Sequence, residues 1–130
     1  MEENLKQLLL KELCAKLPYG VICQCLEKTP EWLIKELNRT VEDSKVKFKL
    51  DYENFNFAIR NIELIKPYLR PMSSMTKEEK EEYNNHLSGL INPVDCANFM
   101  IWVYQHQLDI FHFIEKGLAL EAPEGMYKIK

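Results

Sequence analysis

Apolar and polar residues follow two different periods along the chain, and the change comes at residues 65–75 (IKPYLRPMSSM). Before this stretch the runs are mostly strand-like, and after it they have the spacing of α-helices. Pro67 and Pro71 each lack a backbone donor and bias the preceding residue away from helix, so the stretch should be extended. The pattern therefore predicts a helix plus β-rich half, a stiff connector and a helical half (residues 1–66, 67–75 and 76–130).

The first half should begin with one amphipathic helix. Its leucines recur at three- and four-residue intervals over residues 3–17, and Pro18 ends the pattern. The next run, residues 21–26 (VICQCL), is rich in β-branched residues and cysteine and predicts a strand. One face of this strand would carry Val21, Cys23 and Cys25.

Two further runs predict a β-hairpin. Residues 46–50 (VKFKL) alternate between apolar and charged positions, and residues 55–60 alternate again after a short polar turn. Residues 29–38 fit either a helix starting at Thr29-Pro30 or another strand. We favour the strand there, because the preceding strand needs a partner nearby.

The second half should contain two or three helices. Thr76 and Glu79 have the spacing of a capping box and start a highly charged helix over residues 76–87. Asn92 followed by Pro93 starts a second helix, because asparagine is a good N-cap and proline suits the first helical position.

The C-terminal residues predict a short third helix that Asp109 caps and Gly117 ends, followed by a coil or edge strand over residues 118–130. The whole pattern predicts one α+β domain over residues 1–130. It would consist of an N-terminal helix, a small antiparallel sheet of three to five strands and the C-terminal helices. An SH3-like half-barrel is one form that such a sheet could take.

Composition narrows the class of protein. The chain has 130 residues, of which 46% are hydrophobic and 28% charged, and this balance is typical of one soluble globular domain. Its net charge of −3 provides no global basic field for nucleic acid. The N-terminal residues do not have the pattern of a signal peptide, and no apolar run approaches the roughly 20 residues of a membrane span. We expect a cytoplasmic protein with free cysteines and no membrane association.

The most apolar run, residues 99–104 (FMIWVY), points in all directions around its helix. A small core covers only part of such a helix. The run therefore predicts that at least one of Phe99, Trp102 and Tyr104 lies at the surface, where a partner protein or a second copy of the chain docks. Full burial in a monomer is the alternative.

The predicted hairpin carries the one basic and aromatic surface in the sequence. Such a face could follow a phosphate backbone and would make the protein a nucleic-acid-associated module. A solvated edge protected by lysines is the more common reason for this pattern. The basic residues concerned are Arg39, Lys45, Lys47, Lys49 and Arg60.

Catalytic patterns are weak throughout. His106, Asp109 and His112 are the best candidates for a catalytic or metal site, but they lack the spacing of a zinc motif such as His-Glu-x-x-His. Cys23 and Cys25 lack a basic, exposed setting that would activate a thiol, and we interpret them as small core residues. The sequence predicts no catalytic, cofactor-binding or metal-binding residues.

Three runs of the chain resemble a family of short uncharacterised proteins encoded by bacteriophages and prophages of gut anaerobic bacteria. The likeness is nearly literal over these runs, and the remaining residues diverge more. The runs are residues 8–21 (LLLKELCAKLPYGV), 65–83 (IKPYLRPMSSMTKEEKEEY) and 113–130 (FIEKGLALEAPEGMYKIK).

Members of that family often carry Trp-Leu-Asn-x-His-His-Phe-Asp where this chain has residues 102–109, so only Trp102, His106 and Asp109 match. No activity is established for the family, so the resemblance implies a setting, the infected bacterial cell, and no catalytic residues. We therefore expect a non-enzymatic accessory or anti-defence protein that binds a host or phage macromolecule through protein contacts. The nucleic-acid module is the first alternative and an enzyme built on the two histidines is the second.

Overall fold

A mixed four-stranded sheet with helices around it gives the α+β class that the sequence predicts. The structure, a computed structural model, describes residues 3–25 and 47–127. In these ranges the helices are α1 (Glu3–Lys16), α2 (Phe55–Arg60), α3 (Lys77–Ser88) and α4 (Pro93–Gln105). The strands are β1 (Ile22–Cys25), β2 (Lys47–Lys49), β3 (Ile65–Leu69) and β4 (Leu120–Glu121).

The sheet has the strand order β2-β1-β3-β4. β1 pairs antiparallel with both β2 and β3, with Cys23 opposite Phe48 on one side and opposite Pro67 on the other. β4 pairs with β3 in parallel, so the sheet is mixed. The prediction of an antiparallel sheet is wrong for this strand. The SH3-like half-barrel is not confirmed. The predicted strand or helix at residues 29–38 lies outside the described residues.

The predicted hairpin is wrong in its second strand, because residues 55–60 form α2. Asp51 and Asn54 cause the change: the Asp51 carboxylate accepts N–H bonds from Glu53 and Asn54, and the Asn54 amide donates to the carbonyl of Lys49. These bonds turn the chain into a helix. The helix buries Phe57, whose ring packs edge-on against Phe48 with 6.2 Å between centroids. A short apolar run fits either period, and packing decides between them.

The predicted connector is extended, but it begins as β3 inside the sheet. Pro67 is tolerated there because β4 pairs only with Tyr68 and Leu69, so β3 has a single neighbouring strand beside Pro67. Leu69 is fully buried, and it belongs to the main core together with residues from both ends of the chain, such as Leu9 and Phe113. The stretch is therefore part of the shared core and does not merely join two halves.

The described residues form two hydrophobic clusters. The main one lies against one face of the sheet and includes Cys23 and Cys25, both buried. Burial raises the pKa of the Cys25 thiol to about 11 and raises that of Cys23 as well, so both behave as small core residues. The second cluster lies around α4 and centres on Phe99, Trp102, Val103 and Leu108.

The last predicted helix does not form. The Asp109 carboxylate accepts the N–H groups of Phe113 at 2.8 Å and Ile114 at 3.0 Å, so it stabilises a turn and does not cap a helix as predicted. His112 has φ of 59°, which breaks helical geometry and leaves a series of turns. Gly117 follows with φ of 74°, and β4 is the predicted edge strand. None of the described helices is long and apolar enough to cross a membrane.

Candidate functional site

A concave surface with polar side chains lies between α3 and α4, and we call it the α3–α4 cleft. Its volume is about 370 Å³. It is lined by Glu82, Asn85, His86, Gly89, Asp95 and Asn98. Two carboxylates, one imidazole and two amides thus face one open space.

Two helix caps place these side chains. Thr76 and Glu79 form the predicted capping box at the start of α3, and Asn92 and Asp95 form a second one at the start of α4. The Asp95 carboxylate accepts the N–H groups of Ile91 at 3.2 Å and Asn92 at 3.3 Å, which fixes it at the mouth of the cleft. The second box fixes the α4 end of the α3–α4 turn, whereas the first lies at the opposite end of α3.

The floor of the cleft rests on the second hydrophobic cluster. The indole N–H of Trp102 donates to the Glu82 carboxylate at 2.6 Å. The His86 ring lies 5.6 Å from the Trp102 ring and 5.8 Å from the Phe99 ring, measured between centroids. Trp102 and Phe99 are buried, so they form a packed aromatic layer. This layer fixes the positions of the Glu82 and His86 side chains that contact it.

A buried ion pair stabilises the helices that carry this aromatic layer. The Arg70 guanidinium binds both carboxylate oxygens of Glu79, at 2.7 and 2.8 Å, and His106 contacts the same carboxylate through Nδ1 at 2.7 Å. Burial alone would raise the pKa of Glu79. Hydrogen bonds from Arg70, the Thr76 backbone and His106, together with the Arg70 charge, outweigh burial and lower that pKa to about 2. The pair joins the end of β3 to α3, and it is structural.

The exposed apolar side chains of the described residues concentrate beside the cleft. Four of them lie in or next to the α3–α4 turn, and we call this surface the α3–α4 tip. They are Leu87 (44% exposed), Leu90 (38%), Ile91 (86%) and Val94 (66%). Ile101, two helical turns along α4 from Val94, continues the same face and is 41% exposed.

The aromatic residues predicted to bind a partner are mostly internal. Phe99 and Trp102 are each 7% exposed, and Tyr104 is partly buried. Neighbours on several sides cover them, among them Tyr83 of α3 and Met72 and Met75 of the turn after β3. Ile101 is the most exposed side chain of the run at residues 99–104.

The basic residues of the predicted hairpin are only partly brought together. Lys47 and Lys49 project from the face of β2 opposite Phe48, whereas α2, which carries Arg60, packs on the Phe48 side. Arg39 and Lys45 lie outside the described residues. The register does add Lys66, which pairs with Gln24 as Lys47 does and therefore shares its sheet face.

The proposed catalytic set is not assembled. His106 binds Glu79, Asp109 caps a turn, and His112 is exposed. Asp109 instead lies near a buried pair on α1, in which Lys16 contacts Glu12 at 2.5 Å and donates to the carbonyl of Leu108 at 2.9 Å. In the described part of the chain, no group of three or more His, Cys, Asp or Glu side chains is placed to hold a metal ion.

Sequence reasoning missed most of the cleft. The signal was present on α3, where Glu82, Asn85, His86 and Gly89 follow the i, i+3, i+4, i+7 spacing of one helix face. The α4 side was harder to recognise, because Asp95 is also a capping residue. No protein-family model, curated protein or solved structure matches this chain.

Proposed function

We propose that this chain is a non-enzymatic interaction protein that binds another protein through the α3–α4 tip. The carrying observation is the concentration of exposed apolar side chains there, led by Ile91 at 86% and Val94 at 66% exposure. Scattered exposed apolar residues are ordinary on proteins, but a group of them on one rigid turn marks a docking surface.

The tip contributes little to folding. Ile91 and Val94 bury too little surface to stabilise the chain appreciably, so polar residues would serve the fold equally well. The α3–α4 turn is stabilised at its two ends. The Gly89 N–H donates to the carbonyls of Asn85 and His86, and the Asn92–Asp95 capping box begins α4. A rigid apolar surface loses little conformational entropy on binding, and this favours a recognition role.

The biological setting of this proposal comes from the sequence resemblance to phage and prophage proteins. It supports an accessory or anti-defence role in the cytoplasm of an infected bacterium, with a host or phage protein as the partner. No cofactor enters this proposal.

The experiment is a pull-down of the tagged protein from infected host cells with two variants. Ile91→Asp places a charge on the tip, and Leu64→Asp places the same charge at another exposed leucine, 40% exposed, in the turn before β3. We expect wild type and Leu64→Asp to recover the same partner, and Ile91→Asp to lose it. Recovery of that partner by Ile91→Asp would contradict the proposal.

A second candidate function is nucleic-acid association through the sheet face of Lys47, Lys49 and Lys66. The observation that favours it is the shared register of these lysines, with the Lys47 ammonium 5.2 Å from the Tyr68 ring centroid. A salt-dependent shift of labelled DNA or RNA that Lys47→Ala weakens would support it. Equal binding by the variant would remove this surface from consideration.

A further inference from the structure

We infer that the α3–α4 cleft receives an arginine side chain of the protein that docks on the α3–α4 tip. This inference rests on the proposed function and names the chemistry of the partner.

The charge of the cleft is negative and uncompensated. Glu82 and Asp95 both line it, and no described lysine or arginine forms an ion pair with either carboxylate. An ionised carboxylate offers about four acceptor positions. Glu82 uses one for the Trp102 indole N–H, and Asp95 uses two, for the N–H groups of Ile91 at 3.2 Å and Asn92 at 3.3 Å. Both groups retain capacity to accept bonds from a cation.

The floor of the cleft favours a flat cation. The His86 ring is supported from behind by Phe99 and Trp102, so it presents a fixed aromatic surface. A guanidinium is planar and stacks on aromatic rings while its N–H groups donate within its own plane to carboxylates. An ammonium makes point contacts and gains nothing from stacking in this way. The amide oxygens of Asn85 and Asn98 add acceptors at the rim.

Size and position agree with this occupant. A cleft of about 370 Å³ accommodates a guanidinium with its methylene stem. Glu82, Asn85 and Asn98, which line the cleft, are exposed to solvent, so an approaching protein can reach them. Leu90 and Ile91 follow Gly89 of the cleft directly. The matching partner segment therefore carries an arginine flanked by apolar residues, because one docking event then covers the apolar tip and neutralises the cleft.

The test is a titration of the ¹⁵N-labelled protein with three capped peptides, followed by NMR. The peptides are acetyl-Leu-Arg-Leu-amide, its lysine analogue and its glutamine analogue. We expect the arginine peptide to shift the amide signals of residues 82–98, the lysine peptide to bind several-fold more weakly, and the glutamine peptide to bind at least tenfold more weakly. Equal binding by the arginine and glutamine peptides would overturn the inference.

Matched variants locate the binding site. Glu82→Gln removes one charge while its amide oxygen still accepts the Trp102 N–H, and Glu81→Gln removes a charge from an exposed neighbour that does not line the cleft. We expect Glu82→Gln to weaken the arginine peptide at least fivefold and Glu81→Gln to leave its affinity within twofold. Equal effects of the two variants would mean a general charge attraction and would overturn the inference.

The two proposals fail separately. If the arginine peptide does not bind but Ile91→Asp loses the partner, the cleft inference is wrong and the proposed function stands. If the peptide binds but Ile91→Asp keeps the partner, the proposed function is wrong and the cleft remains an arginine site. A dimer in sedimentation that Ile91→Asp dissociates and Glu82→Gln does not would place a second copy on the tip and overturn the arginine inference.

Discussion

Arg70 and Glu79 form a bidentate ion pair that joins the residue after β3 to the first turn of α3. Both side chains are buried, and the Glu79 carboxylate also accepts the backbone N–H of Thr76 and contacts His106. One carboxylate thus caps α3, orients α4 through His106 and connects both to the sheet. The aromatic layer under the α3–α4 cleft depends on this connection.

Removing the charge of Glu79 should reveal its contribution through pH. Its pKa in the folded protein is about 2, below its ordinary value of 4.5, so the stabilisation is present above pH 4.5 and is lost as pH falls towards 2. We expect Glu79→Gln to lower the free energy of unfolding by about 3 kcal/mol at pH 7 and to flatten the acid dependence in this window. Urea unfolding between pH 2 and 7 measures both. An unchanged acid slope would contradict the assignment.

The buried pair on α1 should behave as a coupled unit. Burial raises the pKa of Glu12 and lowers that of Lys16, while their mutual attraction opposes both shifts. Lys16→Met alone leaves the Glu12 carboxylate buried without its cation and should cost about 3 kcal/mol. The double variant Glu12→Leu with Lys16→Met should cost less than either single change. Additive losses in urea unfolding would argue against direct coupling.

The four cysteines should divide into two classes by reactivity. Cys14 and Cys96 are exposed, whereas Cys23 and Cys25 are buried with raised pKa values. We expect an aromatic disulfide reagent to label the first two rapidly in the native protein and the other two only after unfolding. Cys23→Ala should lower stability by about 1 kcal/mol without affecting partner binding. Rapid native labelling at Cys23 or Cys25 would be inconsistent with this core.

Pro71 tests whether the stretch after β3 separates two units. Because Leu69 and Arg70 are buried in the shared interior, we expect Pro71→Ala to cost under about 1 kcal/mol and to leave one cooperative transition. Far-ultraviolet dichroism and tryptophan fluorescence should then give coincident unfolding curves. Two separated transitions would restore the idea of independent halves.

The local sequence determined the features that depend on neighbouring residues. The capping boxes at Thr76 and Asn92, the end of α1 near Pro18 and the alternating strand around Phe48 all follow from contacts within a few residues. Such interactions act over one helical turn or one strand pair, so their residue types and spacing suffice to predict them.

Only the tertiary structure decided the rest. Residues 55–60 fit either period, and the packing of Phe57 on Phe48 favours the helix that the Asp51–Asn54 turn begins. The predicted connector became a strand because β1 and β4 supply its partners. The α3–α4 cleft likewise exists only when two helices meet, and Trp102 is buried because α3 and the turn after β3 cover it. Burial and strand pairing are set by residues far apart in the chain, and no local period records them.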